Sequence, residues 1–150
     1  MVEKQNKEDQ MDFRLVEIFM KDFSFEAPTQ INKVTDDWKP TVNHEFDITN
    51  THWKDDYYEV SLKNTISVSN ADKKLYLVEL EHVGLFSIKG FEKEQMDHFF
   101  NTLCPEIIYP YSRQIISDAV RQSGYPPIYL NIISFEGVYR SKLKDKEQKA

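Results

Sequence analysis

The sequence has few glycines, one cysteine and no long hydrophobic run, and each shortage excludes a class of protein. Four glycines among 150 residues leave little room for a phosphate-binding loop, and neither a GxGxxG nor a P-loop pattern occurs. A single cysteine cannot form an internal disulfide, which favours a reducing compartment. No stretch approaches the ~18 apolar residues of a membrane-spanning helix, and the first ten residues contain no apolar signal core. We therefore expect a protein of the cytoplasm.

Charge narrows the choice of partners. The net charge is −6 and the isoelectric point is about 5.2, which argues against nucleic acid and anionic membranes as partners and favours basic ligands. Aromatic residues make up 13% of the chain, a generous share for one domain, so some aromatic surface is expected to serve contacts beyond the core.

Candidate catalytic and metal-binding residues are scattered. Cys104 follows a predicted helix, and a helix C-terminus disfavours a thiolate, so we interpret it as a buried structural cysteine at a helix–helix corner. The four histidines lie on different predicted elements without the paired spacing of metal ligands. The sequence therefore predicts neither an enzyme nor a metal site.

The chain is organised as one domain. Residues 1–11 are charged and polar and are predicted to be a disordered lead-in, residues 12–147 to be the domain, and residues 148–150 to be a frayed end. The apolar spacing changes from strand-like to helix-like near Gly90. This order predicts an α+β fold, in which a four-stranded antiparallel sheet is followed by helices packed on one face.

Strands are predicted over residues 13–28, 41–48, 57–69 and 75–88. The second and third alternate apolar and polar residues, as half-buried strands do, whereas the first has a mixed pattern. A long crossing loop over 29–40 precedes the second strand. Short polar turns between the later strands favour an antiparallel meander.

Helices follow the sheet. Apolar spacing predicts one helix over residues 91–103 that ends before Pro105. A second helix is predicted to begin near Pro110, which a first helical turn tolerates, and to stop at Gly124. The double proline that follows predicts an extended apolar loop, and a last helix covers about 135–146.

Two features exceed what a core requires. Asp22 and Glu26 share parity on the first strand, as do Glu79 and Glu81 on the fourth; they predict either a solvated sheet face or an acidic docking surface for a basic partner. Aromatic residues also occur in loops, namely Trp38 and the segment containing Tyr125, Ile128, Tyr129 and Leu130. They predict either a lid on the core or a groove for extended apolar peptide.

Four motifs give the chain a resemblance to a known family. They are KDFSFEAP, DWKP, GLFSIKG and CPEIIYPYSRQIISDAVRQSGYPPIYLN, and in this order they resemble the bacterial protein-export chaperone family SecB from about Phe13 to Phe135. The resemblance implies a homotetramer, arranged as a dimer of dimers, that binds unfolded secretory preproteins without ATP or another cofactor. It further implies delivery of those preproteins to SecA, the motor ATPase of the Sec translocon.

The resemblance also implies site residues. SecA docks through a basic, zinc-containing C-terminal tail, and its contacts fall here on Asp22, Glu26, Leu77 and Glu79. The resemblance assigns tetramer assembly to the opposite face of the fourth strand, here to Val78, Leu80 and His82. The preprotein groove involves Trp38, Tyr125 and Tyr129.

The chain departs from the family pattern in one segment, and two alternative functions remain open. The C-terminal segment YRSKLKDKEQKA is rich in lysine where many family members are acidic, so contacts between that tail and SecA do not carry over. A SecB-like chaperone of a toxin–antitoxin system would have the same fold and a different client. A small-ligand carrier would instead be indifferent to unfolded proteins.

Overall fold

The fold is a twisted antiparallel sheet with helices on one face. A computed structural model describes residues 11–28 and 37–149, so most of the predicted lead-in and crossing loop lies outside the described residues. The described residues form four strands and three helices, which are β1 (Asp12–Glu26), β2 (Pro40–Lys54), β3 (Tyr57–Asn70), β4 (Lys73–Lys89), α1 (Lys93–Asn101), α2 (Leu103–Gln122) and α3 (Phe135–Lys149).

The strand order is β1-β4-β3-β2. The meander predicted for the later strands is therefore confirmed for β2, β3 and β4. β1, for which the sequence predicted no neighbour, pairs with β4 along its whole length. This is the order of a Greek key. The β3–β4 turn has positive φ angles at both Ala71 and Asp72, a backbone whose twist matches that of the flanking strands.

Two β-bulges explain the mixed pattern of β1. Register shifts occur between Leu15 and Glu17 and between Met20 and Asp22, and each extra residue reverses which side chains face the helices. Phe13 and Phe25 contact the core residues Phe86 and Tyr76, so both ends of β1 contribute to one core. A single alternation could not describe such a strand.

The core lies between the sheet and α2. We call the sheet face that packs on α2 the inner face and the opposite one the outer face. Inner-face residues of β3 and β4 are fully or almost fully buried together with residues of α2. The strand residues are Val60, Leu62, Ile66, Val68, Tyr76, Val78, Leu80, Phe86 and Ile88, and the helix residues are Ile108, Ile116 and Val120. The predicted division of β3 into a buried and a wet face is confirmed.

The second helix begins earlier than predicted. α2 starts at Leu103 and contains both Pro105 and Pro110. Pro105 lies in the first turn, where backbone N–H groups have no intrahelical partner and a missing donor costs nothing. Cys104 therefore lies at the start of α2 and not at the end of the preceding helix, although its predicted burial is correct. α3 continues to Lys149, beyond the predicted end near Lys146.

Candidate partner and client surfaces

The outer face gathers the acidic residues predicted to bind SecA. Glu26 lies directly opposite Leu77, and Glu79 lies between Ser24 of β1 and Thr65 of β3. Asp22 lies opposite Glu81 one row further along. The four predicted residues thus share one face across two neighbouring strands, with Asp22 and Glu26 exposed and Leu77 and Glu79 half-buried.

The two acidic residues of β4 differ in their neighbours. Glu81 lies opposite Lys63, and its Oε1 is 3.6 Å from Lys21 Nζ. Glu79 forms no ion pair with any residue that the structure describes. Its charge is consequently not balanced by a neighbouring lysine, which makes Glu79 the better anchor for an external cation.

The acidic face extends further than the sequence analysis stated. Glu45 of β2 pairs with Thr65, and Asp47 pairs with Lys63, so both carboxylates lie on the outer face in the rows of Glu79 and Glu81. Both are exposed. The alternation of β2 already assigned them to the polar side of that strand, but the strand order needed to join them to β4 was not known.

The inner face of β4 is closed within the subunit. Val78 and Leu80 have no exposed surface, and His82 is 4% exposed with its Nδ1 hydrogen-bonded to Ser112 Oγ of α2 at 2.9 Å. The prediction that these residues face away from Leu77 and Glu79 agrees with the register. All three side chains are buried within the subunit, and their role in tetramer assembly stays a prediction.

Part of the predicted groove is an aromatic stack. Trp38 stacks on Tyr125 with ring centroids 6.4 Å apart, and Tyr125 packs on Tyr76, which stacks on Phe25. Tyr125 is buried whereas Trp38 is 39% exposed, so the stack joins the core to the surface. Tyr76 and Phe25 belong to the stack but were not named as groove residues, because their strand positions marked them as ordinary core.

Tyr129 lies in a different place. It is 86% exposed and lines a hollow of about 260 Å³ together with Pro110, Arg113, Gln114, Ser117 and Leu130. The structure therefore brings Trp38 and Tyr125 together but assigns Tyr129 to a separate hollow of mixed polarity beside α2. Ile132, which is 88% exposed, is a further apolar side chain of the same loop.

The titratable groups form no catalytic arrangement within the described residues. The histidines have separate partners, namely Asn64 for His44, the Asp55 carbonyl for His52, Ser112 for His82 and Glu136 for His98. No group of three metal-ligating side chains occurs within residues 11–28 and 37–149. No helix in those ranges is both long and apolar enough to cross a membrane.

Comparison with known proteins assigns the class of this fold. The family model described as preprotein translocase subunit SecB matches residues 6–146. The protein-export protein SecB of Methylococcus capsulatus is 33% identical over 98% of this chain and 95% of its own length. A SecB-like chaperone of Mycobacterium tuberculosis, solved with a peptide from an antitoxin, has a TM-score of 0.68 and 17% identity over 81% of this chain and 90% of its own.

These matches define a protein-export chaperone that binds preproteins, and the M. tuberculosis structure independently supports the fold. The chain belongs to the SecB family.

Proposed function

We propose that this protein holds unfolded secretory preproteins without ATP and delivers them to SecA. The observation that carries the proposal is the division of one subunit into two kinds of surface. An acidic sheet face is available to a basic partner, while exposed aromatic residues lie in the loops beside α2. Family membership supports the same assignment.

Client binding would use apolar area. An unfolded chain offers apolar segments at many places, and burial of about 25 cal/mol per Å² requires no particular sequence. Trp38 would form one contact surface, backed by the buried ring of Tyr125, and Tyr129 would form another. Several such surfaces on one oligomer would turn weak segment contacts into stable holding.

SecA would dock on the outer face. The basic tail would meet Asp22, Glu26 and Glu79, with Leu77 giving apolar contact between the carboxylates. The net charge of −6 per subunit would speed the encounter with a basic segment. Because release would belong to SecA, the chaperone itself would need neither a catalytic site nor a bound cofactor or metal, and we propose that it is not an enzyme.

The oligomer would be a homotetramer, a dimer of dimers in the cytoplasm. Among the described residues, β1 is an edge strand, and it exposes the apolar side chains of Leu15, Val16, Phe19 and Met20. This combination favours pairing with another copy. Val78, Leu80 and His82 would act on assembly indirectly, by fixing how α2 lies on β4.

The first test is the light-scattering mass of the purified protein alone and with a reduced, unfolded secretory preprotein. A tetramer that forms a stable complex with the unfolded preprotein, but not with its folded form, is the expected result. A protein indifferent to unfolded chains would instead support the carrier alternative. Selective capture of an antitoxin segment would support the toxin–antitoxin alternative.

The second test addresses the SecA surface. Glu79→Lys is expected to weaken binding of the SecA tail at least tenfold, since it replaces an unbalanced carboxylate with a cation, while client holding is retained. Glu59→Lys is the matched control, because Glu59 lies on the same face opposite Leu85, away from the rows of Glu79 and Glu81. Calorimetric titration that gives equal tail affinities for the two variants would contradict the assignment.

A further inference from the structure

The end of the last helix is a basic segment. Residues 138–149 contain five basic and two acidic side chains and have a net charge of +3, whereas the whole chain has −6. We call this part of α3 the basic end. Arg140 pairs with Glu136, with its Nε 3.0 Å from Oε1. The four lysines, by contrast, are exposed and form no ion pair with any residue that the structure describes.

The helix macrodipole accounts for only part of this charge. It stabilises cations within the last turn of a helix, where Lys146 and Lys149 lie. Lys142 and Lys144 lie before that turn. Lys142 and Lys146 are also four residues apart, a spacing at which like charges destabilise a helix. A contact outside the subunit would explain the remaining lysines.

Three of the lysines form a row on the open side of α3. They follow the spacing i, i+4, i+7, which places them on one side of a helix, and we call them the lysine row: Lys142, Lys146 and Lys149. The neighbouring side, with Tyr139, Leu143 and Glu147, lines a hollow of about 600 Å³ together with residues of α1. Since adjacent helical residues differ by about 100° in direction, α1 leaves the lysine row accessible to another molecule.

The outer face of the sheet has the opposite charge at a similar spacing. Glu26 lies in the row of Leu77, and Glu79 lies in the next row along β4. Residues two apart on a strand are separated by about 6.7 Å, and residues four apart on a helix by about 6 Å. A helix laid along β4 would therefore place Lys142 and Lys146 over successive acidic rows. The long, flexible lysine side chains would accommodate the small difference in spacing.

We propose that the lysine row binds the acidic outer face of a second copy of this protein. The two surfaces cannot meet within one subunit, because α3 packs on α1 and α2 on the inner side of the sheet. Several rows and several acidic faces on each oligomer would strengthen individually weak ion pairs. An anionic membrane fits less well, since the residues outside the basic end carry a net charge of −9 and would be repelled.

The contact has a consequence for SecA, and this part rests on the proposed function. A docked lysine row covers carboxylates that the basic SecA tail would use, including Glu26 and Glu79. SecA would then have to displace the basic end of another copy before it could bind. The protein would thus carry its own competitor for the SecA surface.

The first experiment tests the contact without SecA. The probe is a fluorescently labelled peptide of residues 138–150, titrated with the full-length protein at about 50 mM salt, where ion pairs are weakly screened. Glu79→Lys is expected to weaken its binding at least threefold, and about 0.5 M salt should abolish it. Glu59→Lys makes the same change in charge away from the acidic rows of β4 and should leave the affinity unchanged. Equal affinities for the two variants would overturn the proposal.

The second experiment removes the lysine row from the full-length protein. The variant Lys142→Gln/Lys146→Gln/Lys149→Gln should bind the zinc-loaded SecA tail peptide roughly three- to tenfold more tightly than wild type, the scale of two or three exposed ion pairs. Its light-scattering mass should also lack the concentration-dependent rise that we expect for wild type at low salt. The control replaces three exposed lysines elsewhere and makes the same change in net charge: Lys54→Gln/Lys89→Gln/Lys93→Gln.

The outcomes separate the proposal from the proposed function. Equal tail affinities and equal masses for wild type and the lysine-row variant would overturn the proposal and leave SecA binding intact. A SecA tail that binds none of the proteins would overturn the proposed function, while the peptide titration would still test the contact between copies. Binding of wild type, but not of the lysine-row variant, to phosphatidylglycerol vesicles without any binding of the peptide would assign the row to a membrane and overturn the proposal.

Discussion

At the scale of single residues, Cys104 shows two opposing effects on one thiol. Its place in the first turn of α2 favours a thiolate by about 0.3–1 kcal/mol, which is less than one pKa unit. Burial acts in the other direction and raises the pKa of Cys104 far above that of a free thiol. Burial prevails, and the cysteine is a structural residue although the sequence analysis placed it at the wrong end of a helix.

We therefore expect Cys104 to be inert in the folded protein. A thiol reagent such as Ellman's reagent should not react at neutral pH within the time in which it titrates a free thiol, and it should react fully in urea. Because the chain has one cysteine, the absorbance reports this site alone. Rapid reaction of the native protein would show that the thiol is accessible and reopen the question of a nucleophile.

His82 makes stability depend on pH. Burial lowers the pKa of His82, so the folded state favours the neutral ring while the unfolded chain binds a proton near the ordinary value of about 6.5. Stability attributable to this residue is present above that value, and it is lost as pH falls from there toward the folded-state pKa. His82→Gln should show a smaller difference than wild type between urea midpoints at about pH 7.5 and about pH 5.5, and equal differences would contradict this role.

At the scale of elements, the sequence predicted those whose pattern is local. The alternation of β3 and the helical spacing of α1 each depend on residues within one segment, and both predictions were correct. The position of β1 beside β4 depends on pairs such as Asp12 with Lys89, which no local pattern encodes. The start of α2 was missed because a proline in a first turn does not distinguish Leu103 from Pro110 as the beginning.

The candidate surfaces also divide into features that a local sequence pattern predicts and features that depend on tertiary packing. The shared face of Leu77 and Glu79 followed from the two-residue period of a strand once the resemblance supplied their role. The burial of Val78 and Leu80 in the core beside α2 could not be predicted from the sequence, because it depends on tertiary packing. Assignment of Tyr129 to a separate hollow likewise depends on the path of a loop without periodicity.

Gly84 sets the distance between β4 and α2. A Cβ at this position would lie 2.6 Å from Phe86 Cε2 and 3.1 Å from Ile108 Cδ1, and both side chains are fully buried. We expect Gly84→Ala to destabilise the protein by about 1–3 kcal/mol, the usual result of overpacking a core, as measured by urea unfolding.

Gly137→Ala in α3 provides the control for that prediction. There the added Cβ would meet only the exposed Ser134, at 3.1 Å from its Oγ, and alanine favours a helix by up to about 1 kcal/mol. Unchanged or increased stability is expected. If both variants had the same effect, close packing of α2 on Gly84 would not be the cause.

At the scale of the whole molecule, the burial of β4 changes which variants can report on assembly. A charge at Val78 would be buried without a partner and would destabilise the subunit itself by several kcal/mol. A change in mass would then be mixed with unfolding. Variants on exposed positions of an edge strand avoid this ambiguity.

We expect Val16→Lys on β1 to lower the light-scattering mass below that of a tetramer while the urea midpoint stays close to wild type. Val16 is 50% exposed, and Val42 on the opposite edge strand is 43% exposed, so Val42→Lys is a matched control that should keep the full mass. A wild-type mass for Val16→Lys would exclude this part of β1 from the proposed tetramer interface.

The pairing of β1 with β4 also imposes an order on synthesis. β1 is made first, but its partner is complete only when Lys89 has left the ribosome, and closing so long a loop is slow compared with forming the hairpins of β2, β3 and β4. Until then the nascent chain has an unpaired first strand that carries the apolar residues Leu15, Phe19 and Met20. A protein that shields the unfolded segments of others must therefore pass through a stage in which its own first strand resembles a client.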